Sequence, residues 1–372
     1  MTVECVQDTR GFIALRAQWH DLLRASGSAN PFLTWEWLHA WWAHFGTAGA
    51  LRLVVVRRGT TAIAIAPFHL VNGSLPWFSR LDLLGTGAAG SDYLDVIARR
   101  GYEGEAIASI AQCLKSQNRA VRMPHLASSS VAARLAERLA GEGWAASVTD
   151  DGRCPVVSLA GHTFDSFLGT LGASHRANVR RRLRALAHLD ARFEPVTTHE
   201  ERRHMLAALA TLHAHRYADR GGSTAFSTPA SRAFQEDATR LALDSGWLRM
   251  YVLRLGDAVA AVMYGFSYGG RFYFYQHGFD AAYAAHSVGL ALMAFTIRAA
   301  IEEGVSEFDM LWGTETYKTL WTRDAHVLRR VDLFPLHLGG AVHRHAVDAR
   351  RGATHLARRV LSLASAGAGR GT

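Results

Sequence analysis

The residues whose types and spacing suggest chemistry begin at Ser287. From Ser287 to about residue 303, apolar residues recur at helical spacing, which predicts a helix with Ser287 as its N-cap. Gly289 would let another group approach the first-turn backbone closely. First-turn N–H groups have no intrahelical partners and lie at the positive end of the helix dipole. This helix start therefore predicts an anion site, although an ordinary capped helix packed on a sheet fits the same residues.

A second set of reactive side chains follows the helix. Gly304 ends the helix, and residues 307–312 predict a strand that ends at Gly313. Tyr317 and Lys318 come shortly afterwards, and Lys318 is one of only two lysines in the chain. A rare lysine next to a tyrosine beyond a strand end suggests a function, but chance placement explains it as well.

These residues are set in the order strand, loop, helix, strand. Aromatic residues at 272–275 predict the first strand. The pattern Tyr-x-x-x-Ser-x-Gly-Leu before the helix and Gly-x-Glu-x-Tyr-Lys-x-x-Trp after it resembles the CelD-like branch of the GNAT acyltransferases. That branch is named for its association with bacterial cellulose-biosynthesis genes and is related to the FemABX aminoacyl transferases. The resemblance covers about residues 10–335, is most specific at 271–321, and departs from the family at Val288, where proline is common.

The resemblance implies an acyltransferase that uses acetyl-CoA or another acyl-CoA as its substrate. The pyrophosphate of the carrier would rest on the backbone at the helix start, and its pantetheine arm would lie alongside residues 272–276. Backbone N–H groups of that strand would stabilise the tetrahedral oxyanion. The residues expected to bind the carrier are Tyr275, Gln276, His286, Ser287, Val288, Gly289 and Leu290.

The implied reaction is direct attack of an acceptor amine or hydroxyl on the thioester. One proton must leave the acceptor and one must reach the thiolate. Tyr317 matches the position at which many GNAT enzymes keep a tyrosine that protonates the thiolate. Asp309 and Glu315 are the two candidates for the base, and Lys318 is expected to hold an anionic group of the carrier or the acceptor.

An arginine cluster lies at residues 174–184, which hold five arginines and no acidic residue. Arg176 and Arg180 fall on one face of the predicted helix. CelD-like proteins are similar here in their pattern Ser-x-x-Arg-x-x-x-Arg-Arg, which implies that Arg176 and Arg180 bind an anionic group of a substrate. A solvated basic face is the alternative.

The chain contains one nine-residue segment twice in similar form. LRLVVVRRG at 51–59 returns as LRMYVLRLG at 248–256, and each is followed by a second strand pattern, which indicates an internal duplication. The predicted fold class is α/β, with a mixed α+β sheet built from tandem twin GNAT-like units. The predicted units are residues 1–155 and 156–338, and a basic tail follows at 339–372.

The two predicted units are not equivalent. The helix predicted at about 102–116 opens with Glu103 and Glu105, which would repel an anion. The first unit is therefore expected to be degenerate and to hold no nucleotide, either shaping the acceptor cleft or serving a purely structural role. The boundary is expected near the sequence Asp150-Asp151-Gly152, which predicts a turn.

Charge and composition narrow the classes of partner. The formal net charge of +9 is concentrated in the arginine cluster and the tail, so no DNA partner is expected. No apolar run approaches the ~20 residues that span a bilayer, and no signal pattern appears, so a cytoplasmic location is expected. The cysteines and histidines lack metal-ligand spacing, so no metal is expected. The tail fits either weak contact with an anionic membrane surface or solvation.

The expected function is transfer of an acyl group to a small-molecule or glycan-precursor acceptor, which the resemblance links to polysaccharide or cell-envelope biosynthesis. Two alternatives stay open. In the first, the protein is a FemABX-like transferase that uses aminoacyl-tRNA and grips RNA with the arginine cluster. In the second, it is a non-catalytic component of a polysaccharide assembly.

Overall fold

A computed structural model describes the chain at residues 1–46, 49–74, 78–217, 225–336, 340–342, 344–345, 347 and 349. Most of the basic tail predicted from residue 339 onward lies outside these residues. Among the described helices, none is long and apolar enough to cross a lipid bilayer.

The first half of the chain alternates between short helices and strands of one sheet. Its strands are β1 (Thr2–Val6), β2 (Gly49–Arg58), β3 (Thr61–Val71), β4 (Arg80–Leu83), β5 (Ile97–Ala98) and β6 (Ala120–Ala127). Its helices are α1 (Thr9–Ala14), α2 (Arg16–Arg24), α3 (Trp35–Phe45), α4 (Glu103–Gln117) and α5 (Val131–Gly141).

The second half has the same kinds of element in nearly the same order. Its strands are β7 (Ala145–Ser158), β8 (Ala191–Pro195), β9 (Leu248–Leu255), β10 (Ala258–Tyr268), β11 (Arg271–Phe279), β12 (Glu307–Asp309) and β13 (Ala325–Phe334). Its helices are α6 (Phe164–Thr170), α7 (Ala173–Ala187), α8 (His199–Tyr217), α9 (Pro229–Asp244), α10 (Val288–Glu302) and α11 (Thr316–Thr319).

All the named strands belong to one mixed sheet, whose order is β1-β2-β3-β4-β6-β13-β7-β12-β11-β10-β9-β8, with β5 paired to β3. In the first half, β1 to β4 pair antiparallel, and β6 returns through α4 to lie parallel to β4. In the second half, β8 to β11 pair antiparallel, and β12 returns through α10 to lie parallel to β11. The predicted mixed α/β class and the duplicated hairpin are confirmed.

The two halves meet at the centre of the sheet. The last strand, β13, lies between β6 of the first half and β7, and β7 pairs in turn with β12 of the second half. The turn predicted at residues 150–152 is wrong, because β7 runs through them with Gly152 at a φ of +103°. The predicted unit boundary at 155/156 falls inside this strand.

Trp35, Trp37 and Trp41 of α3 lie in the core, and the last two of them anchor a loop. Trp37 is fully buried, and its indole N–H donates to the hydroxyl of Ser91 at 2.9 Å. The indole N–H of Trp41 donates to the carbonyl of Thr86 at 3.0 Å. These bonds hold the chain after β4, residues 84–96, which is called the bridging loop below because it reaches the second half.

Candidate active site

The sheet opens between β11 and β12. The two strands pair in parallel only at residues 271–273 and 307–309, and β11 then continues to Phe279 paired with β10 but no longer with β12. The predicted strand 307–312 is therefore too long: it ends at Asp309, and Leu311 turns the chain away with a φ of +58°. A bulge at Tyr275 bends β11 at the same level, since Tyr264 pairs with Gln276 and Gly265 pairs with Phe274.

One cavity lies in this opening on the side of α10. We call it the helix-side cavity; its volume is about 460 Å³. It continues into a larger groove of about 910 Å³, the outer groove, between the start of α7 and residues 319–323. The residues lining the helix-side cavity include His277, Phe279, Ser287, Val288, Gly289, Leu290, Tyr317 and Trp321.

The start of α10 has the features of an anion site. Its first turn contains no acidic residue, and the side chain of Ser287 caps none of its N–H groups. Ser287 is the N-cap by position, as predicted, but its backbone adopts the left-handed conformation with a φ of 55°, so its hydroxyl does not perform the capping expected from sequence. The N–H groups of the first turn have no intrahelical partners, and the residues of this turn, 288–290, line the helix-side cavity.

Gly289 and Arg182 shape this helix start. A Cβ atom on Gly289 would lie 3.0 Å from the ring of Phe279, so even alanine would crowd the turn. Arg182 of α7 donates from Nη1 to the carbonyl of Ala285 at 3.1 Å, within the 3₁₀ turn Ala281–His286 that precedes α10. Arg182 was not among the predicted site residues, although it lies in the arginine cluster.

A second cavity lies on the other side of the opening, next to the bridging loop. This loop-side cavity has a volume of about 470 Å³. His277 and Tyr317 line both cavities, and their ring centroids are 5.4 Å apart. The other residues lining the loop-side cavity include Asp92, His125, Tyr275, Gln276, Leu311, Trp312, Glu315 and Lys318.

The bridging loop of the first half braces the residues that follow β12. Asp92 accepts a hydrogen bond from the backbone N–H of Trp312 at 2.8 Å, and the hydroxyl of Tyr93 donates to Asp309 at 2.5 Å. The hydroxyl of Tyr275 on β11 donates to the carbonyl of Ala89 at 2.5 Å. The walls of the loop-side cavity therefore come from both halves of the chain.

Two buried carboxyl groups lie at this junction. Burial raises the pKa of Asp92 to about 7, although the Trp312 N–H and Lys318 oppose the shift. Burial likewise raises the pKa of Asp309 to about 7, against the hydrogen bond from Tyr93. Both groups are therefore expected to exchange a proton near neutral pH, and of the two only Asp92 lines either cavity.

The side chain of Lys318 contacts the protein itself, whereas the sequence predicted that it binds an anionic group of the carrier or the acceptor. It is buried, and its Nζ lies 3.2 Å from the carbonyl of Leu311, 2.7 Å from that of Trp312 and 3.0 Å from Glu315. These three acceptors match the three donors of an ammonium group. Lys318 thus fastens the turn after β12, and an anionic ligand would have to displace one of these contacts.

The two predicted arginines are also engaged within the protein. Arg176 donates to the carbonyls of Gly169 and Leu171, at 3.0 and 3.3 Å, at the end of α6. Arg180 forms an exposed ion pair with Asp165 at 3.6 Å. Neither arginine lines the two cavities, whereas Arg181 lines the outer groove.

The residues predicted to bind the carrier are divided between the two cavities. Ser287, Val288, Gly289 and Leu290 line the helix-side cavity, whereas Tyr275 and Gln276 line the loop-side cavity. His286 is exposed on the 3₁₀ turn and lines neither. Residues 272 and 273 are buried and paired with β12, so the accessible part of β11 begins later than the predicted 272–276.

In the described part of the chain, Glu307, Asp309 and His326 place potential metal ligands within 4.8 Å of one another. His326 and Glu307 already form a hydrogen bond at 3.2 Å, which raises the pKa of His326. The guanidinium of Arg271 lies 3.4 Å from Glu307 and opposes a cation there. The geometry therefore favours a network of ion pairs over a metal centre.

One known protein family matches the part of the chain that contains most of the residues lining the two cavities. Residues 173–319 match the model of the acetyltransferase (GNAT) domain, so the part of the chain from α7 to α11 is similar to that domain. This range contains the start of α10 and Tyr317. No curated protein matches the chain significantly.

Solved structures share the fold over most of the chain. The crystal structure of FemX is similar with a TM-score of 0.63 at 10% identity, covering 89% of this chain and 97% of that one. A conserved protein of unknown function from Bacteroides thetaiotaomicron gives 0.59 at 13% identity, covering 89% and 99%. L-PGS from Bacillus licheniformis gives 0.53 at 13% identity, covering 87% and 91%. At such identities the similarity concerns the fold alone.

Proposed function

We propose that the protein is an acyltransferase that moves an acyl group from acyl-CoA to an amine. The observation that carries this proposal is that His277 and Tyr317 are shared by two cavities of different character. One cavity ends at a helix start without acidic residues, which suits the phosphates of a carrier. The other contains the carboxyl groups of Asp92 and Glu315, which suit a cationic acceptor.

The carrier would enter from the outer groove. Its pyrophosphate would accept hydrogen bonds from the N–H groups at 288–290, and Arg182 would keep the preceding turn in place. Its pantetheine arm would run along the part of β11 that β12 has left, residues 274–279, where an extended chain can add as a strand does. The thioester would then lie between His277 and Tyr317.

The reaction would transfer two protons. The amine nitrogen bonds to the thioester carbon while its proton passes to a carboxylate, and the carbon–sulfur bond then breaks as Tyr317 protonates the leaving sulfur. Asp92 is the better-placed base, since it lines the acceptor cavity and has a pKa of about 7; Glu315 lines the same cavity but pairs with Lys318. Asp309 lines neither cavity, so we give it a structural role. Backbone N–H groups near the bulge at Tyr275 would stabilise the oxyanion.

Native mass spectrometry with a panel of acyl-CoAs tests the carrier. The expected result is one carrier per chain, because α4 begins with Glu103 and Glu105 whereas α10 begins without acids. Binding of two carriers per chain would contradict the assignment of the site to α10. Failure to bind any acyl-CoA would favour the non-catalytic alternative in a polysaccharide assembly.

A second candidate carrier is aminoacyl-tRNA. The outer groove favours it, because that groove is wide and is lined by His175, Arg181 and Arg323. Binding of charged tRNA that weakens steeply with salt, without binding of acyl-CoA, would support this candidate. A glycan-precursor acceptor, and with it a CelD-like role in cellulose or cell-envelope biosynthesis, would extend either version of the proposal.

A further inference from the structure

Trp312 is an exposed tryptophan that is held at its indole nitrogen, at one ring edge and along its backbone. Its side chain is 55% exposed, yet its indole N–H donates to the carbonyl of Asp151 at 2.7 Å. Its edge packs against Gly152, where a Cβ atom would lie 2.3 Å from the indole nitrogen. Its backbone N–H binds Asp92, and its carbonyl accepts from Lys318. The indole is therefore a rigid aromatic surface that faces solvent.

The location of Trp312 separates it from an ordinary exposed apolar residue. Single exposed hydrophobic side chains are common and need no explanation. Trp312, however, lines the loop-side cavity together with hydrogen-bonding groups, namely the carboxyls of Asp92 and Glu315 and the amide of Gln276. A flat apolar face beside several polar side chains suits a ligand that has one apolar face and a polar edge.

A pyranose ring has this character, because its axial C–H bonds form an apolar face and its hydroxyl groups form a polar edge. Indole presents the electron-rich face on which such C–H bonds stack, and carboxylates accept hydrogen bonds from hydroxyl and ammonium groups. The volume of about 470 Å³ lies within the range of small-ligand sites. A flexible alkyl chain would not need a rigid surface or the carboxyl groups around it.

We propose that the loop-side cavity binds an amino sugar, with its pyranose ring stacked on Trp312 and its amino group directed toward His277 and Tyr317. The inference rests on the proposed function, which requires an amine acceptor. Asp92 and Glu315 would attract the protonated amine and orient it, and the amine would release its ammonium proton to solvent before the neutral nitrogen attacks the thioester. Trp312 would thus determine specificity without taking part in proton transfer.

Saturation-transfer NMR without any carrier tests this site separately from acyl transfer. The probes are glucosamine, methyl glucoside and butylamine, applied to wild type, Trp312→Ala, Trp312→Phe and the control Val148→Ala. Val148 is also exposed and lies on β7 but lines neither cavity. We expect transfer to the ring protons of glucosamine, an affinity about tenfold lower in Trp312→Ala, a smaller loss in Trp312→Phe and none in Val148→Ala.

The inference would be overturned by no glucosamine binding to wild type at about 50 mM, or by binding that Trp312→Ala leaves unchanged. Butylamine that binds as well as glucosamine and depends equally on Trp312 would also overturn it, because the ring would then contribute nothing. Acyl-CoA binding without glucosamine binding would refute the sugar site but not the acyltransferase. Trp312-dependent sugar binding without acyl transfer would refute the acyltransferase but not the sugar site.

Discussion

The equivalent helices of the two halves, α4 and α10, begin in opposite ways. Each follows an antiparallel run of strands and leads to a strand parallel to the last of them. The first turn of α4 carries Glu103 and Glu105, whereas that of α10 has no acidic residue. Two acidic side chains at a helix start of the same topology would repel phosphate, so we expect the duplicated fold to hold one carrier site and not two.

The halves also differ in what covers the opening in the sheet. In the first half, β6 has eight residues and is followed by the eleven-residue helix α5. In the second half, β12 has three residues and α11 has four. These shorter elements leave room for the two cavities, and the bridging loop of the first half supplies the missing wall. The first half therefore contributes part of the wall of the loop-side cavity, most of which belongs to the second half.

The largest effect is expected for Tyr317→Phe. If Tyr317 protonates the leaving thiolate, turnover should fall ~10²–10⁴-fold while acyl-CoA affinity changes little. The control is Tyr102→Phe, which removes the hydroxyl of the tyrosine at the start of α4 and should leave turnover unchanged. Steady-state kinetics with an acceptor amine measures both, and normal turnover in Tyr317→Phe would remove Tyr317 from the mechanism.

Asp92→Asn should show whether the first half takes part in the chemistry. With the pKa of Asp92 raised to about 7, kcat/KM should increase with pH through neutrality as the carboxylate forms. The variant should lose about a hundredfold in kcat/KM at high pH and lose that ionisation from its profile. Asparagine can still accept the Trp312 N–H, so the cavity wall should persist. A profile unchanged in Asp92→Asn but flattened in Glu315→Gln would move the role of base to Glu315.

A matched pair of glycines tests the asymmetry of the helix starts. Gly104 and Gly289 are the second residues of α4 and α10. Gly289→Asp should weaken acyl-CoA binding about tenfold beyond Gly289→Ala, which reports the contact with Phe279 alone. Gly104→Asp, which meets no atom within 4 Å, should have no effect. Calorimetric titration decides, and equal losses in Gly289→Asp and Gly289→Ala would exclude charge as the cause.

The smallest effect concerns stability at the junction of the halves. The folded-state pKa of Asp309 is raised from 3.8 to about 7, so its contribution to stability is complete at low pH and decreases as pH rises through about 7. Asp309→Asn, which stays neutral, should therefore destabilise the protein less at about pH 8 than at about pH 5. Urea unfolding at both pH values measures this difference, and a larger cost at the higher pH would contradict the raised pKa.

The sequence was sufficient for the local parts of the site. The helix predicted from Ser287 to about residue 303 is α10, Val288–Glu302, because apolar periodicity and Gly304 mark its two ends. The repeated nine-residue segment correctly indicated the duplicated hairpin. Both signals lie within a few residues of what they predict, so no tertiary information was needed.

The parts that depend on distant contacts could not be read from the sequence. Asp92 and Tyr93 lie more than 200 residues from the segment they brace, and nothing near them marks that contact. Lys318 was singled out for its rarity, but its burial follows from the turn at Leu311 and Gly313, which folds two carbonyls toward it. His277 lines both cavities because β12 ends before it. The sequence pattern of β11 does not show where β12 ends, so the sequence did not predict this position.

The pairing of β6 with the last strand, β13, has a consequence for biosynthesis. β6 cannot acquire its inner neighbour until residues 325–334 have been made, some 200 residues later. A ribosome-bound chain that stops before β13 thus exposes an unpaired edge in its earliest half. We expect neither half to be stable when expressed alone, and the nascent protein to depend on protection of that edge until translation ends.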